Sequence, residues 1–83
     1  MEEDEALDLR RLRWQCRRGM LELDLLLERF LARRYPQADA AERRDFSRLL
    51  RLPDQTLSHY LLHGETPDDP RLAALVRRIL ACR

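Results

Sequence analysis

At 83 residues, 37% of them charged, the chain has apolar side chains for one small core and one domain, residues 1–83. Its net charge of +1 excludes a protein that grips nucleic acid by charge alone. No apolar run approaches the roughly 18–20 residues of a membrane span, and no secretory h-region precedes the charged segments.

The acidic start Met1-Glu2-Glu3-Asp4-Glu5 is wrong for a mitochondrial transit peptide, so a bacterial, cytoplasmic chain is expected. In that compartment Cys16 and Cys82, which form no CxxC pair, should be reduced and unpaired. All 16 basic residues are arginine. GC-rich coding bias accounts for the total, but arginines are also suited to bidentate contacts with carboxylate or phosphate, and they crowd before Gly19.

The first predicted helix spans about 4–17, with an acidic start and an arginine-rich end that suit its dipole. Leu9, Leu12 and Cys16 follow i, i+3, i+7 spacing and make a narrow core stripe. Arg11, Trp14 and Arg18 repeat that spacing on the opposite side. Two readings of Trp14 stand side by side: an exposed aromatic bracketed by arginines, or a residue folded into the core with Leu7.

Between the first two helices lies Arg17-Arg18-Gly19-Met20-Leu21-Glu22-Leu23-Asp24. Glycine in a helix interior costs about 1 kcal/mol relative to alanine. Kept here, Gly19 marks a turn with positive φ or a place where another backbone comes close. Arg18 and Glu22, at i and i+4, also suit a plain surface pair contributing about 0.3–0.5 kcal/mol.

A second helix is predicted over about 20–35 and ends before Pro36. Leu23, Leu26, Leu27, Phe30 and Leu31 form its main stripe, while Leu21, Leu25 and Ala32 lie on the other side. Apolar on two sides, it should be sandwiched at the centre of the fold. Glu22 shares a flank with Arg29 and Arg33, and Asp24 lies with Glu28.

Asp39 and Glu42 have capping-box spacing and open a third helix running to about 51, with Phe46, Leu49 and Leu50 inward. Pro53-Asp54 breaks the chain. A fourth helix over about 55–63 buries Leu57, Tyr60 and Leu61, and Gly64 suits its C-terminal stop. Asp69 caps a fifth helix with Pro70 in first position, and Leu72, Leu75, Val76, Ile79 and Leu80 form its stripe. No segment alternates as a strand does, so the fold class is all-α, a small five-helix bundle.

No nucleophile stands with a matched base, so the chain is not read as an enzyme. His59 and His63 have the i, i+4 spacing of a zinc pair, with Glu65 nearby. They lack the Glu beside the first His that a zinc-protease helix carries, and are read as surface rather than metal ligands. Residues 46–66 have a faint likeness to a helix-turn-helix repressor, with Gln55, Thr56 and Ser58 placed to read bases. A small nucleic-acid-binding or antitoxin-like regulator is therefore the alternative, weakened by the near-neutral charge and by arginines concentrated far from that helix.

Arg18-Gly19-x-x-Glu22, preceded by Trp14 and Cys16 and followed by Leu23-Asp24, resembles the RGxxE signature of the SdhE/YgfY succinate dehydrogenase assembly factors. Their mitochondrial relatives, called assembly factor 2, share it. The resemblance continues through Phe30, Leu49-Leu50, His63-Gly64 and the last helix, and implies the same five-helix fold. A Pro53-Asp54 connection shorter than in some relatives is the one departure, and it leaves RGxxE untouched.

The resemblance implies a chaperone, monomeric when free, that binds the flavoprotein subunit of succinate dehydrogenase, and in bacteria of fumarate reductase. It would promote covalent attachment of FAD to a histidine of that subunit. Arg18, Gly19 and Glu22 match the motif, and Trp14, Arg17, Met20 and Asp24 match its surroundings. With Arg11 of the same arginine-rich face they form the expected partner-binding set. The chain has no dinucleotide fingerprint, so FAD is taken as the client's cofactor and none is expected to be held firmly here. Neither nucleic acid nor membrane is an expected partner.

Overall fold

The leucine-phenylalanine stripe of residues 23–31 is where the core forms. The computed structural model describes residues 2–82, with side chains from residue 9 onward. Five α-helices follow one another: α1 (Glu2–Gln15), α2 (Leu21–Arg33), α3 (Ala40–Leu50), α4 (Asp54–Leu61) and α5 (Pro70–Ala81). A 3-10 turn over Tyr35–Gln37 links α2 to α3, and the described residues include no strand, so the fold is all-α as the sequence predicts.

Leu23, Leu27 and Phe30 of α2 are fully buried, and the helix packs against α1, α4 and α5. Phe30 meets Phe46 of α3 with ring centroids 4.7 Å apart, so α2 is central, as its stripe implied. The sandwich is incomplete, however. Leu21, Leu25 and Ala32 on its second side stay exposed, Leu21 at 74%, so the described residues leave that face uncovered. The core stripes of α3 and α5 are as predicted except at Leu80, which is exposed in the last turn of α5. Leu26 and Tyr60 are only half-buried.

The C-terminal ends of α1 and α2 differ from the predicted bounds. α1 stops at Gln15, two residues early, and Arg17 N–H closes a tighter last turn on Trp14 C=O at 3.1 Å. Leu12 and Cys16 reach the core, whereas Leu9 is 38% exposed. α2 stops at Arg33, and residues 35–37 tighten into the 3-10 turn because the residue before Pro36 cannot stay comfortably α-helical. Tyr35 remains buried against Phe46.

Caps locate the later helices. Asp39 accepts from Glu42 N–H at 2.8 Å and starts α3. Only half of the capping box forms, because the Glu42 carboxylate turns to Arg78 (2.8 Å) and Arg34 (3.2 Å), and such charge-assisted bonds outweigh a neutral backbone donor. Asp45, also buried, takes Arg71 at 3.1 Å and Arg48 at 3.5 Å. Asp69 caps α5 by accepting from Arg71 N–H at 2.9 Å, and also receives Arg48 at 2.6 Å. These acidic side chains thus tie α3 to α5. Gly64, at φ +74°, lets Glu65 N–H reach back to His59 C=O after α4.

Candidate functional site

The α1–α2 junction is shaped by its own carboxylate. Asp24, in the first turn of α2, turns backward and accepts from Arg18 N–H at 2.8 Å and Gly19 N–H at 3.2 Å, one on each oxygen. Once Arg18 N–H is bonded there it cannot continue α1. Gly19 takes φ +82°, a value that penalises any residue with a Cβ. A Cβ placed on it would meet nothing within 4 Å, so of the two readings the positive φ is observed, and the space beside the glycine is open.

Arg18 does not extend the row of Arg11 and Trp14, because α1 has already ended. Its side chain turns inward, donating from Nη2 to Leu50 C=O and from Nη1 to Asp54 at 3.2 Å. The alternative reading of Arg18 and Glu22 as a plain surface pair does not hold among the described residues: Arg18 instead links the junction to the α3–α4 turn. Met20 leans the same way, with Ser58 Oγ 3.5 Å from its sulfur.

Glu22 is exposed and forms no ion pair among the described residues. Trp14 is 71% exposed, which settles its two readings in favour of solvent, and the Arg17 guanidinium lies 5.3 Å from its ring centroid. Arg17 also approaches Glu28 of α2 at 3.9 Å, an exposed pair of small energetic weight. Arg11 is exposed on α1. The predicted residues thus divide. Arg11, Trp14, Arg17, Gly19 and Glu22 are exposed, Arg18 and Asp24 hold the bend in shape, and Met20 is partly exposed with its sulfur against Ser58.

Sequence reasoning missed Asp54 and the Leu50 carbonyl as partners of Arg18, and no local pattern announces a contact across 32 to 36 residues. It did find the second apolar row of α2, but assigned that row to a neighbour within the chain.

The remaining candidates carry less. His59 and His63 are exposed with ring centroids 5.8 Å apart, and His59 Nδ1 lies 3.5 Å from Glu65. Among the described residues no group of three metal-ligand side chains gathers. Ser58, one of three residues proposed to read bases, is buried and engaged with Met20, which removes it from that role. Cys16 and Cys82 are unpaired, and burial pushes the Cys16 thiol up to about 12, aided by the charge of Glu28. No described helix is long and apolar enough to cross a membrane.

A family model described as the flavinator of succinate dehydrogenase, Sdh5, matches residues 10–83, from within α1 to the last residue. The FAD assembly factor SdhE of Coxiella burnetii is 41% identical over 76 residues, 92% of this chain and 93% of that protein. Its namesake in Xylella fastidiosa is 45% identical over 78 residues, covering 94% and 80%. That of Methylococcus capsulatus is 46% identical over 71 residues, covering 86% of each. No solved structure matches the chain significantly. With the junction and all five helices falling inside or overlapping the matched span, the chain belongs to the Sdh5 family, the flavinators of succinate dehydrogenase.

Proposed function

We infer that this chain is an assembly factor, not a catalyst, which binds the flavoprotein subunit of succinate dehydrogenase and promotes covalent attachment of FAD to it. The match of residues 10–83 to the flavinator family carries this reading. The α1–α2 junction is the surface proposed to meet the client. Gly19 leaves room for a partner backbone, Glu22 offers an unpaired carboxylate, and Trp14 and Leu21 offer apolar area in the open. Exposed aromatic and aliphatic anchors of this kind supply much of the energy of a transient interface once water leaves them.

Flavin and flavoprotein perform the covalent step, and the factor contributes binding. A partner that binds one arrangement of the client better than another shifts the population toward it by that difference in affinity. Arg18 and Asp24 serve this indirectly, since a loop fixed before binding loses less entropy on docking. The same surface is proposed to serve the fumarate reductase flavoprotein, with the free chain a monomer.

The test is complementation. Cells lacking their native factor and supplied with this chain should recover flavin fluorescence of the flavoprotein band in a denaturing gel. The flavoprotein subunit should also co-purify with the chain. Full expression of this chain with no recovery of fluorescence and no captured flavoprotein overturns the reading.

A further inference from the structure

The groove between α1 and α2 lies beside the junction but outside its signature. The two helices run antiparallel, with Arg17 near Glu28 at one end and Leu9 beside Ala32 and Pro36 at the other. Together they enclose about 500 Å³, floored by Leu31. A smaller depression of about 180 Å³, lined by Arg10, Arg13, Trp14 and Arg17, adjoins it through Arg13 and Arg17. Of the six large apolar residues exposed among the described residues, Leu9, Trp14, Met20, Leu21 and Leu25 lie on α1, α2 or their junction. The apolar area left uncovered by the bundle is therefore concentrated on this side.

Charge and exposed apolar side chains together mark this groove: a hollow of about 470 Å³ on α3, lined by Tyr35, Arg43, Arg44 and Arg51, is also cationic, but none of the exposed large apolar residues lies in it. A comparable hollow at the α3–α5 seam, about 570 Å³, is lined by Glu42 and Asp45, whose carboxylates are already held by Arg34, Arg71 and Arg78. In the α1–α2 groove the balance tips the other way. Among the described residues Arg10 and Arg13 have no carboxylate partner, and Glu28, the only acidic one of them lining the groove, is beside Arg17. Unmatched cations beside an apolar floor fit a partner carrying carboxylates around an apolar side chain.

We propose that the α1–α2 groove docks an acidic segment of the flavoprotein client, as a second arm of the contact made at the junction. One apolar side chain of that segment enters between Leu9, Ala32 and Pro36, and flanking carboxylates pair with Arg10 and Arg13. From Leu9 to Arg17 the groove runs about 12 Å, the length of roughly four extended residues. This inference rests on the reading of the chain as a flavoprotein assembly factor. It adds the chemistry of the partner surface and explains why an otherwise solvated face keeps apolar residues.

The experiment measures affinity for the purified flavoprotein subunit at low and at raised salt. It compares the wild-type chain with an Arg10→Glu/Arg13→Glu double variant and an Arg44→Glu/Arg51→Glu double variant. Arg44 and Arg51 are exposed on the α3 side, so the second variant carries the same change in net charge elsewhere. Helical circular dichroism and thermal midpoint of each variant establish that it is folded. Reversal in the groove should weaken binding about tenfold or more at low salt and flatten the salt dependence, while the α3 variant stays within about twofold. Equal affinities of both variants, or equal losses, overturn the groove proposal while leaving the assembly-factor reading intact. Failure of the wild-type chain to bind the flavoprotein at all overturns that reading instead. A wild-type dimer that dissociates on groove reversal assigns the groove to a second copy and likewise overturns the proposal.

Discussion

Asp24 satisfies two successive backbone N–H groups, and Gly19 supplies the one φ that lets both point at the same carboxylate. Gly19→Ala should therefore cost about 1 kcal/mol through backbone strain alone, since no neighbour is close enough to clash. Gly19→Arg should cost a similar amount yet abolish flavinylation, because the added side chain projects into the proposed approach. Glu22→Ala should change stability by no more than about 0.5 kcal/mol and still fail to restore flavin fluorescence in the complementation assay. A Glu22→Ala chain that unfolds, or that restores full flavinylation, removes this residue from the working surface. The thiols give a separate check. At mildly alkaline pH, Ellman's reagent should titrate Cys82 in the native chain and reach Cys16 only after denaturant. Because the folded Cys16 pKa lies above its ordinary 9.0, burial of the thiol stabilises fully below pH 9, and that contribution declines as pH rises toward about 12. At this scale Gly19 and Glu22 were legible in the sequence, since a glycine between helices and a carboxylate off the apolar stripe are local facts. The inward turn of Arg18 was not, because its acceptors lie in another part of the chain.

Among elements, the α3–α5 seam shows how polar contacts set a helix in place. Its stripe of Leu72, Leu75, Val76 and Ile79 fixes which face of α5 is buried, and periodicity alone foretold that. Leu75→Ala should lower stability by about 2–5 kcal/mol in chemical denaturation and impair function only through unfolding. What periodicity could not foretell is that Glu42 and Asp45, polar residues of an amphipathic helix, are buried under arginines from α5, the end of α2 and α3 itself. Glu42→Ala should cost about 1–3 kcal/mol, less than a fully enclosed pair because Arg34 and Arg78 are about half exposed. Asp69 adds a pH dependence. The Arg48 hydrogen bond, with Arg71 N–H, holds its carboxyl below the ordinary 3.8. Its stabilising contribution is present above that value and is lost as pH falls through the lower folded value. Asp69→Asn, which keeps a capping side chain, should flatten the acid limb of a urea-midpoint profile. α2 offers the complementary lesson. Its two apolar sides were plain in the sequence, but periodicity cannot tell a face meant for another helix of the same chain from one left for a partner.

For the molecule as a whole, no described cross-link supplements the core, since both cysteines are free and no described side-chain group gathers as a metal site. Far-ultraviolet circular dichroism should therefore be the same with and without reductant and EDTA. The long-range tie from Arg18 to Leu50 and Asp54 has a consequence for how the chain is made. Emerging from the ribosome amino end first, the nascent chain exposes its complete RGxxE lettering long before residues 50–54 exist to anchor it. During that interval the bend lacks the Arg18 anchor and relies on Asp24, so the proposed client-binding surface would take shape only with the second half of the polypeptide. A fragment ending near residue 37 would carry every letter of the motif without the Leu50 and Asp54 contacts that anchor Arg18.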